Sequence, residues 1–159
     1  MSEPQTGAAG LKRELTSFRT GGQEYCVDIM AVREIRGWSP ATPLPQSPPY
    51  MRGVINLRGA VVPIIDLRIK FDFARADYNE FTVVIILNVG SRVIGIVVDG
   101  VSDVITLAHE QIKPAPSLGS NTDTSHIIGF GTLDERMRIL MDVEKLMAGA
   151  DLGSIKSLQ

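Results

Sequence analysis

From Met51 to Arg68 the chain runs Met-Arg-Gly-Val-Ile-Asn-Leu-Arg-Gly-Ala-Val-Val-Pro-Ile-Ile-Asp-Leu-Arg, two apolar stretches around one short polar break. This pattern predicts strand, tight turn, strand. Gly53 and Gly59 bracket the polar pair Asn56 and Arg58. Glycine reaches positive φ freely and Asn tolerates it better than most residues, so a sharp reversal within 56–59 is cheap. The apolar flanks need burial, which pins the backbone and holds Arg58 on a rigid turn. An arginine so placed suits a carboxylate, or the backbone carbonyls of another protein. The same spacing also fits a surface hairpin whose Arg58 is only solvated.

β signals dominate the rest. Leu15 to Thr20 and Glu24 to Ile29 flank the turn Gly21-Gly22-Gln23 and predict a hairpin. Ala31 to Trp38 predicts a helical turn passing into a strand, because Val32 and Ile35 are β-branched. Pro43, Pro45, Pro48 and Pro49 make 42–49 an extended connector. The polar stretch Phe71 to Phe81 reads as a bridge between two halves. Thr82 to Val89 and Arg92 to Val98 are nearly continuous apolar runs, the pattern of strands covered on both faces. Val101 to Leu107 predicts a further strand, and Gln111 to Thr124 a Pro/Gly/Ser loop. A last hairpin over His126–Thr132 and Met137–Asp142 turns at Asp134-Glu135, and Val143 to Ala148 predicts a short helix.

An internal repeat is suggested. Val27-Asp28 is followed by Val32, Glu34 and Ile35, and Val98-Asp99 by Val101, Asp103, Val104 and Ile105. Each half later closes on an apolar strand ending in Asp, at Ile65-Asp66 and Met141-Asp142, with the offset growing from 71 residues (28 to 99) to 76 (66 to 142). A chain this rich in Val and Ile can also produce such a match by chance. The repeat predicts an all-β fold of two small barrels, about five strands each, the first built mainly from 24–70 and the second mainly from 82–142. Units of roughly 70 residues hold thin cores, so the two are expected to share an apolar interface and fold together.

Totals narrow the function. The chain has 159 residues, 44% of them apolar, enough for one folded unit over 11–149. The ends, 1–10 and 150–159, are rich in small and polar residues and are expected to be disordered. Net charge is −2 with no basic block, which disfavours nucleic acid. No apolar run approaches the roughly 20 residues of a spanning helix, no signal sequence is evident, and a single Cys26 excludes an internal disulfide; a soluble cytoplasmic protein is expected.

Reactive chemistry finds little footing. Cys26, His109 and His126 are the only soft metal ligands and none share ligand spacing, so no metal or cofactor is expected. Cys26 reads as a small buried hydrophobe, and both histidines as solvated. Ser125 and His126 are neighbours that would point to opposite faces of a strand. Gly90, Gly95 and Gly100 do not form a phosphate loop, since no helix follows. Asp99 reads as a turn cap and Asp103 as exposed. What remains is surface: Glu34 on a strand and Arg58 on its turn are positioned for a charge-assisted contact if the strand over 32–36 comes near the 52–65 hairpin.

The strings Val-Arg-Glu-Ile-Arg-Gly (32–37), Arg-Gly-Val-Ile-Asn-Leu-Arg-Gly (52–59), Val-Pro-Ile-Ile-Asp-Leu-Arg (62–68), Gly-Ile-Val-Val-Asp-Gly-Val-Ser-Asp-Val (95–104) and Ile-Lys-Pro-Ala-Pro (112–116) resemble the CheW family of bacterial chemotaxis coupling proteins. The resemblance spans Leu15 to Met147. It implies two intertwined SH3-like five-stranded β-barrels with short helices and an adaptor without catalysis. It implies binding to chemoreceptor cytoplasmic tips and to the regulatory domain of the CheA histidine kinase, in arrays that can also hold further copies in rings. Carried over by position, a receptor-facing groove between the barrels includes Val32, Glu34, Gly53, Arg58 and Val104, with Asn56, Leu57 and Gly59 supporting the Arg58 turn. The kinase contact is placed on apolar barrel edges. Arg33, Trp38 and Cys26 depart from the commonest pattern. On this assignment Arg58→His and Gly53→Asp weaken receptor binding and leave the fold largely intact, except that a positive φ at Gly53 would make its effect partly one of folding. The competing readings are a ligand-binding or hydrolase-like double barrel, which needs a convergent polar pocket, and a nucleic-acid-binding barrel, which needs a basic aromatic face.

Overall fold

In the computed structural model, residues 12–71, 77–114 and 126–148 are described. The stretch 72–76, most of the 111–124 loop, Pro116 of the last motif and both expected tails lie outside them. The first hairpin is β1 (Lys12–Thr20) and β2 (Gln23–Asp28), turning at Gly21 and Gly22 with φ of 61° and 83°. A 3-10 turn over Ile29–Ala31, capped by the Asp28 carboxylate, leads into β3 (Val32–Gly37). β4 (Met51–Leu57) and β5 (Ala60–Asp66) form the second hairpin, and Asp66 caps the single-turn helix α1 (Leu67–Lys70), which the sequence reading missed. β6 (Val83–Val89), β7 (Arg92–Val98) and β8 (Gly100–Ala108) follow, then the short β9 (Ile112–Pro114), inside the segment expected to be loop. β10 (Ile127–Leu133), β11 (Arg136–Met141) and α2 (Val143–Ala148) complete the fold.

The strands form two sheets, β8-β1-β2-β11-β10-β9 and β3-β6-β7-β5-β4. The architecture is all-β, two small SH3-like barrels, with β9 giving the first sheet a sixth strand. Three of the five strands of one sheet come from 24–70, and four of the six strands of the other come from 82–142. Each takes a hairpin from one half of the chain and a strand set from the other. The joins are the parallel ladders β2–β11 and β5–β7, and every other ladder is antiparallel. The reason lies in the links. Only Asp99 separates β7 from β8, and three residues separate β2 from β3. One residue cannot return a strand beside its predecessor, since the tightest hairpin loop needs two, so β8 crosses to the other sheet.

The repeat is nevertheless present in linear order. β1–β2 matches β6–β7, β3 matches β8, and β4–β5–α1 matches β10–β11–α2. Both strand sets shift register at a glycine, between Met51 and Gly53 and between Ile127 and Gly129. In both, the helix-capping Asp donates its backbone N–H to an aromatic residue's carbonyl: Asp66 to Tyr50 and Asp142 to His126, each at 2.8 Å.

Strand alternation sorts the apolar residues into three cores. Leu57, Val62, Ile64, Val84, Ile86 and Val97 fill one barrel, and Leu15, Cys26, Ile105, Leu107 and Leu140 the other. The opposite faces of the same strands meet in the largest cluster, where Phe18, Tyr25 and Met141 of one sheet pack with Ile65, Ile85, Leu87, Ile94 and Ile96 of the other. Strands covered on both faces account for the near-continuous apolar runs of β6 and β7. Cys26 is fully buried, and burial pushes its thiol up to about 12, against the smaller opposing pull of Arg138 and Arg13. The native thiol is therefore expected to react with a disulfide reagent at pH 8 at least about a hundredfold more slowly than the same thiol in denaturant, where its pKa is ordinary. Equal rates would contradict this placement.

Candidate functional site

The turn between β4 and β5 is a two-residue reversal at Arg58 and Gly59, with φ of 52° and 91° and Leu57 paired to Ala60. Both central residues have positive φ, the primed geometry that matches strand twist. Asn56 does not itself take positive φ. Its side-chain carbonyl accepts the Gly59 N–H at 2.9 Å and ties the turn down. Arg58 is exposed, and its Nη2 donates to the Glu34 carboxylate on β3.

β3 and β4 are the two edges of their sheet, with three strands between them. The pair therefore spans the open side of a curled sheet instead of crossing a ladder. Arg36, two residues along the same face of β3, lies 3.8 Å from the other Glu34 oxygen. One carboxylate thus sits between two guanidiniums. The sequence reading missed Arg36, though its two-residue spacing from Glu34 on a predicted strand places it on that face.

The other expected site residues divide. Gly59 and Asn56 are exposed beside Arg58. Leu57 is buried in a barrel core, and Val32 is half-buried against the shared core, so both support the site from beneath. Val104 is 55% exposed but stands on β8, in the other sheet, opposite Thr16.

Gly53 is buried, with φ of 132°, and a Cβ there would drive into the backbone carbonyl of Thr42. That carbonyl accepts the Val54 N–H at 2.9 Å in a backbone bridge, so it cannot simply move aside. With this positive φ and this contact, Gly53→Asp acts on the fold as well as on any surface around it. Gly53→Ala alone is expected to cost about 1–3 kcal/mol of stability in urea unfolding, from backbone strain before any effect on binding. A change under a few tenths would contradict it.

A second polar constellation is buried. Arg68 of α1, 1% exposed, donates Nε and Nη2 to the two Asp66 oxygens at 3.0 and 2.9 Å. Its Nη1 donates to the Asp77 carbonyl at 2.6 Å and to Asp99 Oδ1 at 3.0 Å. Tyr78 donates its hydroxyl to Asp66 at 2.6 Å, lies under the guanidinium, and stacks on Trp38 at 4.4 Å. Asp99 Oδ2 accepts the Gly21 N–H at 2.8 Å, so it caps the β1–β2 turn. The network thereby clasps one sheet to the other. Burial opposes the charge on Arg68, but its hydrogen bonds to Asp66 and Asp99 outweigh it and raise its pKa above the usual value. Burial and the Asp66 contact push Tyr78 up to about 12. With its guanidinium so fully engaged, Arg68 is a structural element.

His109 is exposed as expected, whereas His126 is half-buried and stacks on Phe71 at 5.2 Å. Among the described residues no group of three or more His, Cys, Asp or Glu is placed to hold a metal ion, and no helix is long and apolar enough to cross a membrane.

Comparison with known proteins fits this geometry to a family. The family model of the CheW-like domain matches residues 14–151. The chain is 48% identical to the chemotaxis protein CheW of Klebsiella aerogenes, over 92% of this chain and 88% of that protein. It is also 48% identical to a probable chemotaxis protein CheW of Rhizobium etli, over 86% and 88%. Its fold superposes on the crystal structure of the scaffolding protein TtCheW from Thermoanaerobacter tengcongensis with a TM-score of 0.77, at 28% identity, covering 82% of this chain and 89% of that one. With its paired barrels, and its motifs carried on the β3 edge and the β4–β5 turn, the chain belongs to the CheW family of chemotaxis scaffolding adaptors, which are not enzymes.

Proposed function

We propose that this adaptor couples the cytoplasmic tips of methyl-accepting chemoreceptors to the regulatory domain of the CheA histidine kinase, working in the cytoplasm and recruited to receptor arrays. The receptor contact runs over Glu34, Arg36, Asn56, Arg58 and Gly59 on one barrel and reaches Val104 on the other. Val32, Gly53 and Leu57 hold that surface in place from below. The observation that carries this reading is the Arg58–Glu34–Arg36 cluster, set across the open side of a sheet on a turn with little freedom to move. A receptor tip is a helical hairpin, and a shallow face with a few fixed charges suits one side of a helix. Single contacts of this kind are weak, and an array multiplies them. Titration calorimetry of this protein against a receptor tip fragment, and separately against the kinase regulatory domain, tests the reading. Saturable binding to both is expected, and heat from neither partner would reject it.

A further inference from the structure

The internal repeat allows two equivalent places in one chain to be compared. In the unit containing α1, Asp66 at the helix cap and Asp99 just after β7 grip one guanidinium, that of Arg68, at 2.9 and 3.0 Å. The equivalent positions in the other unit are Asp142, which caps α2, and Asp28, which ends β2. The position of Arg68, second in its helix, is taken by Glu144. The two carboxylates are kept and their cation is replaced by a third acid.

At this place lies an open cavity of about 380 Å³, bounded by Arg13, Asp28, Met30, Asn88, Asp142 and Glu144 among others. Three carboxylates there face one guanidinium, Arg13, which stands 3.7 Å from Asp28. Asp28 and Asp142 each commit Oδ1 to a backbone N–H, of Met30 at 2.9 Å and of Lys145 at 3.1 Å. Asp66 likewise commits Oδ1 to the Arg68 N–H and meets Nη2 with Oδ2. The acids are not gathered closely enough to hold a metal ion. An extended, planar cation meets two separated carboxylates where a point charge does not. Met30 and Ile128, both lining the cavity, are 83% and 40% exposed, apolar surface that a protein would cover and a small cation would not.

We propose that this cavity receives an arginine side chain from a partner protein, its guanidinium bridging Asp28 and Asp142 as Arg68 bridges Asp99 and Asp66. The proposal does not depend on the adaptor reading or on the Glu34–Arg58 surface.

The test follows amide and methyl NMR signals of the full chain while ethylguanidinium chloride is added. Saturable shifts are expected at the Asn88 side-chain amide and the Glu144 amide, and none with tetramethylammonium chloride at equal ionic strength. Glu144→Arg supplies the missing guanidinium from within. It is expected to abolish the shifts and to raise Tm by about 2–4 °C. Asp142→Asn keeps a capping side chain but loses the charge, and should weaken binding at least about fivefold. The peptide N-acetyl-Leu-Arg-Leu-amide should bind about tenfold or more tighter than ethylguanidinium and shift the Met30 and Ile128 methyls, because its leucines cover them. Shifts that persist in Glu144→Arg, or that tetramethylammonium reproduces, would overturn the site. Equal affinity for peptide and ethylguanidinium would overturn the protein partner.

Discussion

Replacing Arg68 by methionine is expected to destabilise the protein by about 3–5 kcal/mol, the usual result of removing one partner from a buried ion pair. Asp66 is fully buried, and in this variant it would keep the Tyr78 hydroxyl and the residue 68 N–H but lose both guanidinium contacts. A carboxylate left in that setting must either carry an unbalanced charge or take up a proton. Asp99 would lose its link to α1 while still capping the Gly21 turn, so the two sheets would also lose a clasp. For a chain of this size the loss corresponds to a fall in Tm of roughly 6–20 °C. Adding Asp66→Asn should recover part of it, because Asn still caps a helix and still accepts from Tyr78, with no charge to leave unpaired. Urea unfolding of the three proteins checks this. A single variant within 1 kcal/mol of the parent, or a double variant worse than the single, would show that the network does not hold the fold as described.

That network marks the limit of what could be read in the chain. The hairpins were legible because Gly21-Gly22, Arg58-Gly59 and Asp134-Glu135 sit between apolar runs of the right length, and turn chemistry is local. The repeat was legible from Asp28, Asp66, Asp99 and Asp142. Which hairpins the two intertwined units exchange was not, because that follows from how Asp99 and the 29–31 turn steer the chain, and alternation along a strand does not name its neighbour. Nothing in Asp-Leu-Arg tells a solvated arginine from a buried one, so the role of Arg68 is not legible locally. Its partners Asp77, Tyr78 and Asp99 are brought near only by the fold. Glu34 and Arg58 were singled out by residue type, yet their meeting depends on the curl of a sheet that puts edge strands β3 and β4 within reach. For Gly53, which the family resemblance names as a site residue, the positive φ and the close approach of Thr42 are products of the fold that no local spacing shows.

Reversing one charge of the surface pair has the largest expected effect on binding. Arg58→Glu sets two carboxylates together across the open side of the sheet and leaves Arg36, among the described residues, as the cation paired with Glu34. The pair itself is exposed, so it contributes only about 0.2–1 kcal/mol to folding, and Tm should hardly move. Affinity for a receptor tip should fall about a hundredfold, or ~2.7 kcal/mol, since in the proposed contact a side chain facing the partner changes sign. Glu34→Arg together with Arg58→Glu restores an attractive pair with the charges exchanged. If the pair serves only to brace the turn, the exchanged protein binds like the parent. If the partner reads the charges themselves, as proposed, it stays weak. Calorimetry on the three proteins separates the two outcomes, and full binding by Arg58→Glu would remove Arg58 from the contact surface.

Coupling itself is tested most directly by sedimenting receptor-containing membranes with purified kinase, with and without this protein. The kinase is expected to pellet in quantity only when the protein is added, and to return to the supernatant when Arg58→Glu takes its place. Kinase that pellets equally well in its absence, or a protein that stays in the supernatant with receptor and kinase both present, would contradict the account.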